Sequence, residues 1–118
     1  MQAAFREDVS RIIAELVALM RPGYGWQADV LIRLRDAVNR HDLKGAKEQF
    51  ASNDIWGGSG SVRDVSFVDS ASNARKCELE IELVDAFASE GIANRAATEM
   101  AAIYRRWIAE DIFKRPSA

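Results

Sequence analysis

Chemistry in this chain has to come from a short roster of side chains. Cys77 is the only cysteine and His41 the only histidine. One thiol excludes an intramolecular disulfide and any multi-cysteine zinc site. One imidazole excludes a two-histidine metalloprotease motif. Four acids, Glu78, Glu80, Glu82 and Asp85, stand close together. Carboxylates four residues apart share a helical face, so they are candidates for metal binding or general acid–base work. Carboxylate metal sites in helical bundles, however, draw on Glu-x-x-His elements, and His41 has Val38 three positions before it. The residues fit a solvated acidic face better, or one that docks on a basic partner. Cys77 falls on the apolar side of its helix, where an inert core thiol belongs.

The second cluster is Ile55-Trp56-Gly57-Gly58-Ser59-Gly60-Ser61-Val62-Arg63-Asp64-Val65, with three of the seven glycines. Glycines permit positive φ, and successive backbone N–H groups in such a loop can cradle an anion. A P-loop, though, ends in Gly-Lys-Ser/Thr and follows a strand. Here Gly60 precedes Ser61-Val62-Arg63 and a helix comes before. The dinucleotide fingerprint fails on the same context. Two readings remain: a tight loop packed by Trp56, or a rigid recognition loop with Trp56 as anchor. Arg63 and Asp64 either bridge the loop internally or hold and orient an anionic partner group. No nucleophile–base pair accompanies them, so the chain reads as a binding protein and not an enzyme.

These residues need helices to position them. Phe5, Val9, Ile12, Ile13, Leu16, Val17 and Met20 follow an amphipathic helical rhythm, ended by Pro22-Gly23-Tyr24-Gly25. A second helix spans about 27–40, with Val30, Leu31, Leu34, Ala37 and Val38 on one side. After a turn at His41, Asp42 is placed to cap a third helix over 43–52 with Leu43, Ala46 and Phe50 inward. Residues 53–69 break the pattern and predict an ordered loop with at most a scrap of extended structure. Cys77 to Leu83 alternates apolar and acidic, which alone suggests a strand. The wider window restores helical spacing: Arg75, Glu78, Glu82, Asp85 and Ser89 on one face, Cys77, Ile81, Val84, Phe87 and Ala88 on the other. This helix is expected over 73–89, ending at Gly91. Asn94 is placed to cap a last helix running to about Lys114, before Pro116. Its expected inner face is Ala97, Met100, Ala101, Tyr104, Trp107 and Ile108, with Ile112 and Phe113 near the end. The expected fold is all-α, about five helices arranged as hairpins, with a Gly-rich loop between the third and fourth, in one domain over 1–118.

Composition supports an ordered core, with 48% hydrophobic and 29% charged residues among 118. Sixteen Lys and Arg against eighteen Asp and Glu give −2, which argues against nucleic-acid or anionic-membrane binding by bulk charge. The charge is uneven. Asp54, Asp64 and Asp69 outweigh Arg63 over 53–69, and residues 70–91 carry a further −3. No secretory signal is recognisable at the start of the sequence, so a cytoplasmic location is expected.

The segment 55–65 resembles small bacterial helical domains of unknown function that carry an aromatic-Gly-Gly-x-Gly-Ser-x-x-Asp loop between two helical hairpins. Trp56, Gly57, Gly58, Gly60, Ser61 and Asp64 occupy the motif positions, and the flanking helices extend the resemblance over most of the chain. Arg63 departs from it, standing where a variable, often amide-bearing residue is expected. Domains of this appearance look like single-domain immunity proteins encoded beside secreted bacterial toxins. The resemblance implies a non-catalytic inhibitor of a cognate toxin, without cofactor or metal. The acidity over 53–91 makes a basic toxin the expected partner, and the loop and acidic helix give the expected contact residues Trp56, Arg63, Asp64, Glu78, Glu82 and Asp85. A small-ligand-binding or enzymatic domain using the Gly-rich loop and Arg63 is the alternative.

Overall fold

Helix α1 (Ala3–Met20) buries Phe5, Val9, Ile12, Ile13, Leu16 and Met20, the stripe set by its apolar spacing, in a computed structural model that describes residues 1–114. The Pro22-Gly23 turn reverses the chain. Helix α2 (Gly25–Asn39) starts two residues before the expected position and buries Ala28, Val30, Leu31, Leu34, Ala37 and Val38. His41 takes φ 59° to close α2, and the Asp42 carboxylate accepts the Gly45 N–H at 2.9 Å to open α3 (Leu43–Phe50). A Cβ at Gly45 would run into that carboxylate, so glycine leaves room for the cap where it weakens the helix. In so short a helix only Ala46 and Phe50, one turn apart, face the core. Leu43 is exposed, contrary to expectation.

The scrap of extended structure expected after α3 does not form, because no second segment offers it a partner. Instead a single turn, α4 (Asn53–Trp56), capped by the Ser52 hydroxyl, leads into a run of tight turns. Helix α5 (Ser70–Ser89) starts three residues earlier than its apolar pattern suggests. The Asp69 carboxylate accepts the Ser72 N–H at 2.8 Å and sets the start. The Asn73 side chain instead clamps Phe67, accepting its N–H at 2.7 Å and donating to its carbonyl at 2.9 Å. Gly91, at φ 79°, turns the chain, and Asn94 caps α6 (Arg95–Ala109) on the Ala97 N–H at 3.0 Å.

Helix α6 stops five residues short of the expected end. Asp111 and Lys114 adopt positive φ, which takes the chain out of helical phase. Ile108, still within α6, and Ile112, beyond it, are exposed, while Ala97, Ala101 and Tyr104 are buried and Met100, Trp107 and Phe113 half-buried. Pro116 lies outside the described residues.

The fold is all-α: five helices of two turns or more, paired as hairpins, plus the one-turn α4, with no strand among the described residues. Packing joins α1 to α2 and α5, α2 to α3 and α4, and α5 to α6. Its centre is aromatic. Phe50 stacks on Phe87 at 4.1 Å, and Phe5 and Trp56 meet that pair edge-on at 5.0 and 5.9 Å. Because α5 is sandwiched between α1 and α6, its buried arc is wide: Ala74, Lys76, Cys77, Leu79, Glu80, Leu83, Val84 and Phe87. Glu80 therefore does not belong to the acidic face, and Ala88, expected inside, is exposed. Among the described residues no helix is long and apolar enough to cross a membrane.

Candidate functional site

The Gly-rich loop is closed by its own backbone. The Val62 N–H donates to Asp54 O at 2.9 Å and the Arg63 N–H to Ile55 O at 2.8 Å, drawing 54–63 into a ring. Gly57 is required because a Cβ there would collide with the Asn53 carbonyl, and Gly60 because φ is 85°. The Ser61 hydroxyl donates to Gly57 O at 3.0 Å, and the Asp64 carboxylate accepts the Gly60 N–H at 3.0 Å. Ser61 N–H is taken by Gly58 O. Four successive N–H groups, 60 to 63, thus already have acceptors, one in the Asp64 carboxylate and three in backbone carbonyls, so the anion nest that the glycines suggested is already spent. Trp56 is 6% exposed and donates its indole N–H to Phe50 O at 2.8 Å. It holds the loop from inside and presents almost no surface to a partner.

The acids of α5 are similarly engaged. Arg75 bridges Glu15 of α1 at 2.8 Å and Glu78 at 3.2 Å; Arg11 lies 3.8 Å from Glu82; Arg105 of α6 meets Asp85 at 2.5 Å. Each pair is partly solvated and individually weak. Together they compensate much of the negative charge that the sequence concentrates in this helix. The loop half of the acidic region differs. Asp54, Asp64 and Asp69 are exposed, and none is within ion-pair distance of a cation among the described residues. Two backbone hydrogen bonds hold the last two, and the bond from Ser72 keeps the Asp69 pKa below the usual carboxylate value.

The turn between α1 and α2 packs on this loop. Tyr24 donates its hydroxyl to Ser66 O at 2.7 Å and meets the Phe67 ring edge-on at 5.9 Å, while the Gln27 amide donates to Gly60 O at 3.0 Å. Trp26, one residue before Gln27, is 51% exposed, and Val68, one residue after Phe67, is fully exposed. The sequence pattern singled out neither of these exposed apolar side chains; Trp26 is 30 residues upstream of Trp56.

Sequence reasoning also missed a buried ion pair. Lys76 is 3% and Glu80 1% exposed; Nζ donates to Glu80 Oε2 at 2.9 Å and to Arg63 O at 3.0 Å. Glu80 Oε1 has no hydrogen-bond partner among the described residues. Burial pushes the Glu80 carboxyl above the usual range, opposed first by Lys76 and then by Tyr104 and Arg63. Burial, then the Glu80 charge, pushes the Tyr104 hydroxyl up as well. Burial, reinforced by Glu80, pushes the Cys77 thiol up to about 12. The signal was present: residues 76, 80, 83 and 87 form one helical stripe, on which a Lys–Glu pair at four-residue spacing continues as Leu83 and Phe87. Among the described residues no group of three or more His, Cys, Asp or Glu is placed to hold a metal ion.

Of the six expected contact residues, the structure brings Arg63 and Asp64 together in the loop and sets Glu78, Glu82 and Asp85 along α5, with Trp56 inside. No protein-family model, curated protein or solved structure matches the chain.

Proposed function

We propose that this chain is a non-catalytic immunity or inhibitor protein that binds and neutralises a cognate, basic bacterial toxin. The observation that supports this reading most is the loop docked on the Tyr24–Gln27 turn: its exposed Asp54, Asp64 and Asp69 have no ion-pair partner among the described residues, and the half-exposed Trp26 of that turn and the exposed Val68 are apolar side chains available to a partner. An aromatic anchor in an acidic rim is the arrangement that steers and then holds a basic protein. The loop is hydrogen-bonded within itself, so little ordering is required on contact. Glu78, Glu82 and Asp85 add field but reach a partner only in competition with Arg75, Arg11 and Arg105.

The test is co-expression with the product of the adjacent reading frame, followed by binding kinetics of the purified pair. Trp26→Ala is expected to raise Kd at least tenfold, mainly through faster dissociation, an effect of about 1.4 kcal/mol. Asp54→Lys is expected to slow association and flatten its salt dependence. A complex insensitive to both changes would place the contact elsewhere; a neighbour that neither binds nor is neutralised would overturn the function.

A further inference from the structure

A cavity of about 260 Å³ opens between the Arg63–Ser66 stretch, the start of α5 and the end of α6. One part of its lining is aromatic. Tyr104 and Trp107 have ring centres 5.5 Å apart, Trp107 and Phe113 6.4 Å apart, and Met100 adjoins them. The other part is polar, with Arg63, Asp64, Asn73 and Lys76.

Both cations have donors to spare. Lys76 is almost wholly buried, its Nζ 5.8 Å from the Tyr104 ring centre. It gives hydrogen bonds to Glu80 and to Arg63 O, and an ammonium has a third N–H. Arg63 uses only Nε–H, on Gly57 O at 2.8 Å, which leaves the two terminal amino groups of the guanidinium without a hydrogen bond among the described residues. Glu80, which balances Lys76, is not in the lining, and Asp64 is held by the Gly60 N–H. With Lys76 balanced by Glu80, Arg63 is the lining cation whose two terminal amino groups are left for an anion, beside an aromatic wall. A guanidinium matches a planar carboxylate with two parallel N–H donors. A phosphate dianion would bring twice the charge against Asp64 and the Glu80 behind it.

We infer that this cavity binds a small monoanionic aromatic carboxylate, with the acid on Arg63 and the remaining Lys76 N–H and the ring against Trp107 and Tyr104. The inference goes beyond toxin binding: the two sites share Asp64, but the residues varied for toxin binding, Trp26 and Asp54, do not line the cavity, so each idea fails separately. A free aromatic acid and the C-terminal aromatic residue of a peptide present the same group.

The experiment is an NMR titration of the full, isotope-labelled chain with indoleacetate, indoleacetamide, and a short peptide ending in phenylalanine as free acid or amide. Saturable shifts of the Trp107 indole and Arg63 Nε–H signals are expected with the acid, with the amide at least about tenfold weaker. Arg63→Gln, with an otherwise native spectrum, should reduce acid binding to the level of the amide. Binding of the peptide acid alone would assign the ligand to a chain terminus, and of indoleacetate alone to a free metabolite; either supports the inference. No saturable shift from either acid would overturn it, as would amides binding as tightly as acids, a comparison that needs no variant.

Discussion

Lys76 and Glu80 show how far one pair of side chains can depart from its type. Both are charged residues buried in the interior, bonded to each other, and Lys76 ties α5 to the loop through Arg63 O. Removing one partner of a buried pair strands the other, so Lys76→Met is expected to destabilise the fold by about 3 kcal/mol. The Lys76→Met/Glu80→Leu double variant should recover most of that loss in urea unfolding. The deficit should also depend on pH. Glu80 has a raised folded pKa against an ordinary value of 4.5, so the folded state holds the proton more tightly. Its ionisation penalty is absent below pH 4.5 and grows as pH rises through the folded pKa. The Lys76→Met deficit should therefore shrink in acid, and a deficit that stays constant across that window would show that Glu80 is not its source. Cys77 makes a neighbouring check. With its pKa near 12, little thiolate exists at pH 8, and a thiol reagent should label the native chain far more slowly than the urea-unfolded chain.

At the level of elements, the glycines of the loop are not equivalent. Gly57→Ala forces a Cβ into the Asn53 carbonyl, whereas a Cβ at Gly58 meets nothing. Gly57→Ala is expected to lower the melting temperature clearly, and Gly58→Ala to be neutral or slightly stabilising through reduced unfolded-state entropy. Gly60→Ala falls between, at about 1 kcal/mol for an alanine held at positive φ. Such distinctions could not be read from composition, because the roles come from hydrogen-bond closure between residues six to eight positions apart, such as Gly57 with Arg63. The helices were more legible. In α1 and α2 every buried side chain is apolar, so periodicity alone identified the inward face. In α5 the buried face includes Lys76 and Glu80, and a reading that sends charge outward misplaces it. The end of α6 was overextended because apolar spacing continues through Ile112 and Phe113 after the backbone has left the helix at Asp111.

Across the whole molecule, one apolar cluster joins α1 to α6, with the Phe50–Phe87 stack linking the α3 region to α5. Phe87→Ala is expected to cost about 3–5 kcal/mol. Because the cluster is shared, loss of helix and loss of the Trp56 environment should remain a single coincident transition, measured by circular dichroism and by fluorescence in a chain retaining Trp56 alone. Separate midpoints would mean that the loop and the helices unfold independently. The charge pattern has a similar reach: arginines of α1, α5 and α6 converge on the α5 acids, leaving the loop as the electrostatically open part of the surface. That loop is also a closed ring, joined at its base by the Asp54–Val62 and Ile55–Arg63 bonds, with exposed Gly58 and Ser59 at its tip. A ring fastened at its base passes little strain from its tip to the rest of the chain. Splicing a peptide tag or a small reporter between Gly58 and Ser59 would forfeit the Ser61–Gly58 turn bond while the fastening stays in place. The tip is thus a natural port for grafting foreign sequence into this scaffold.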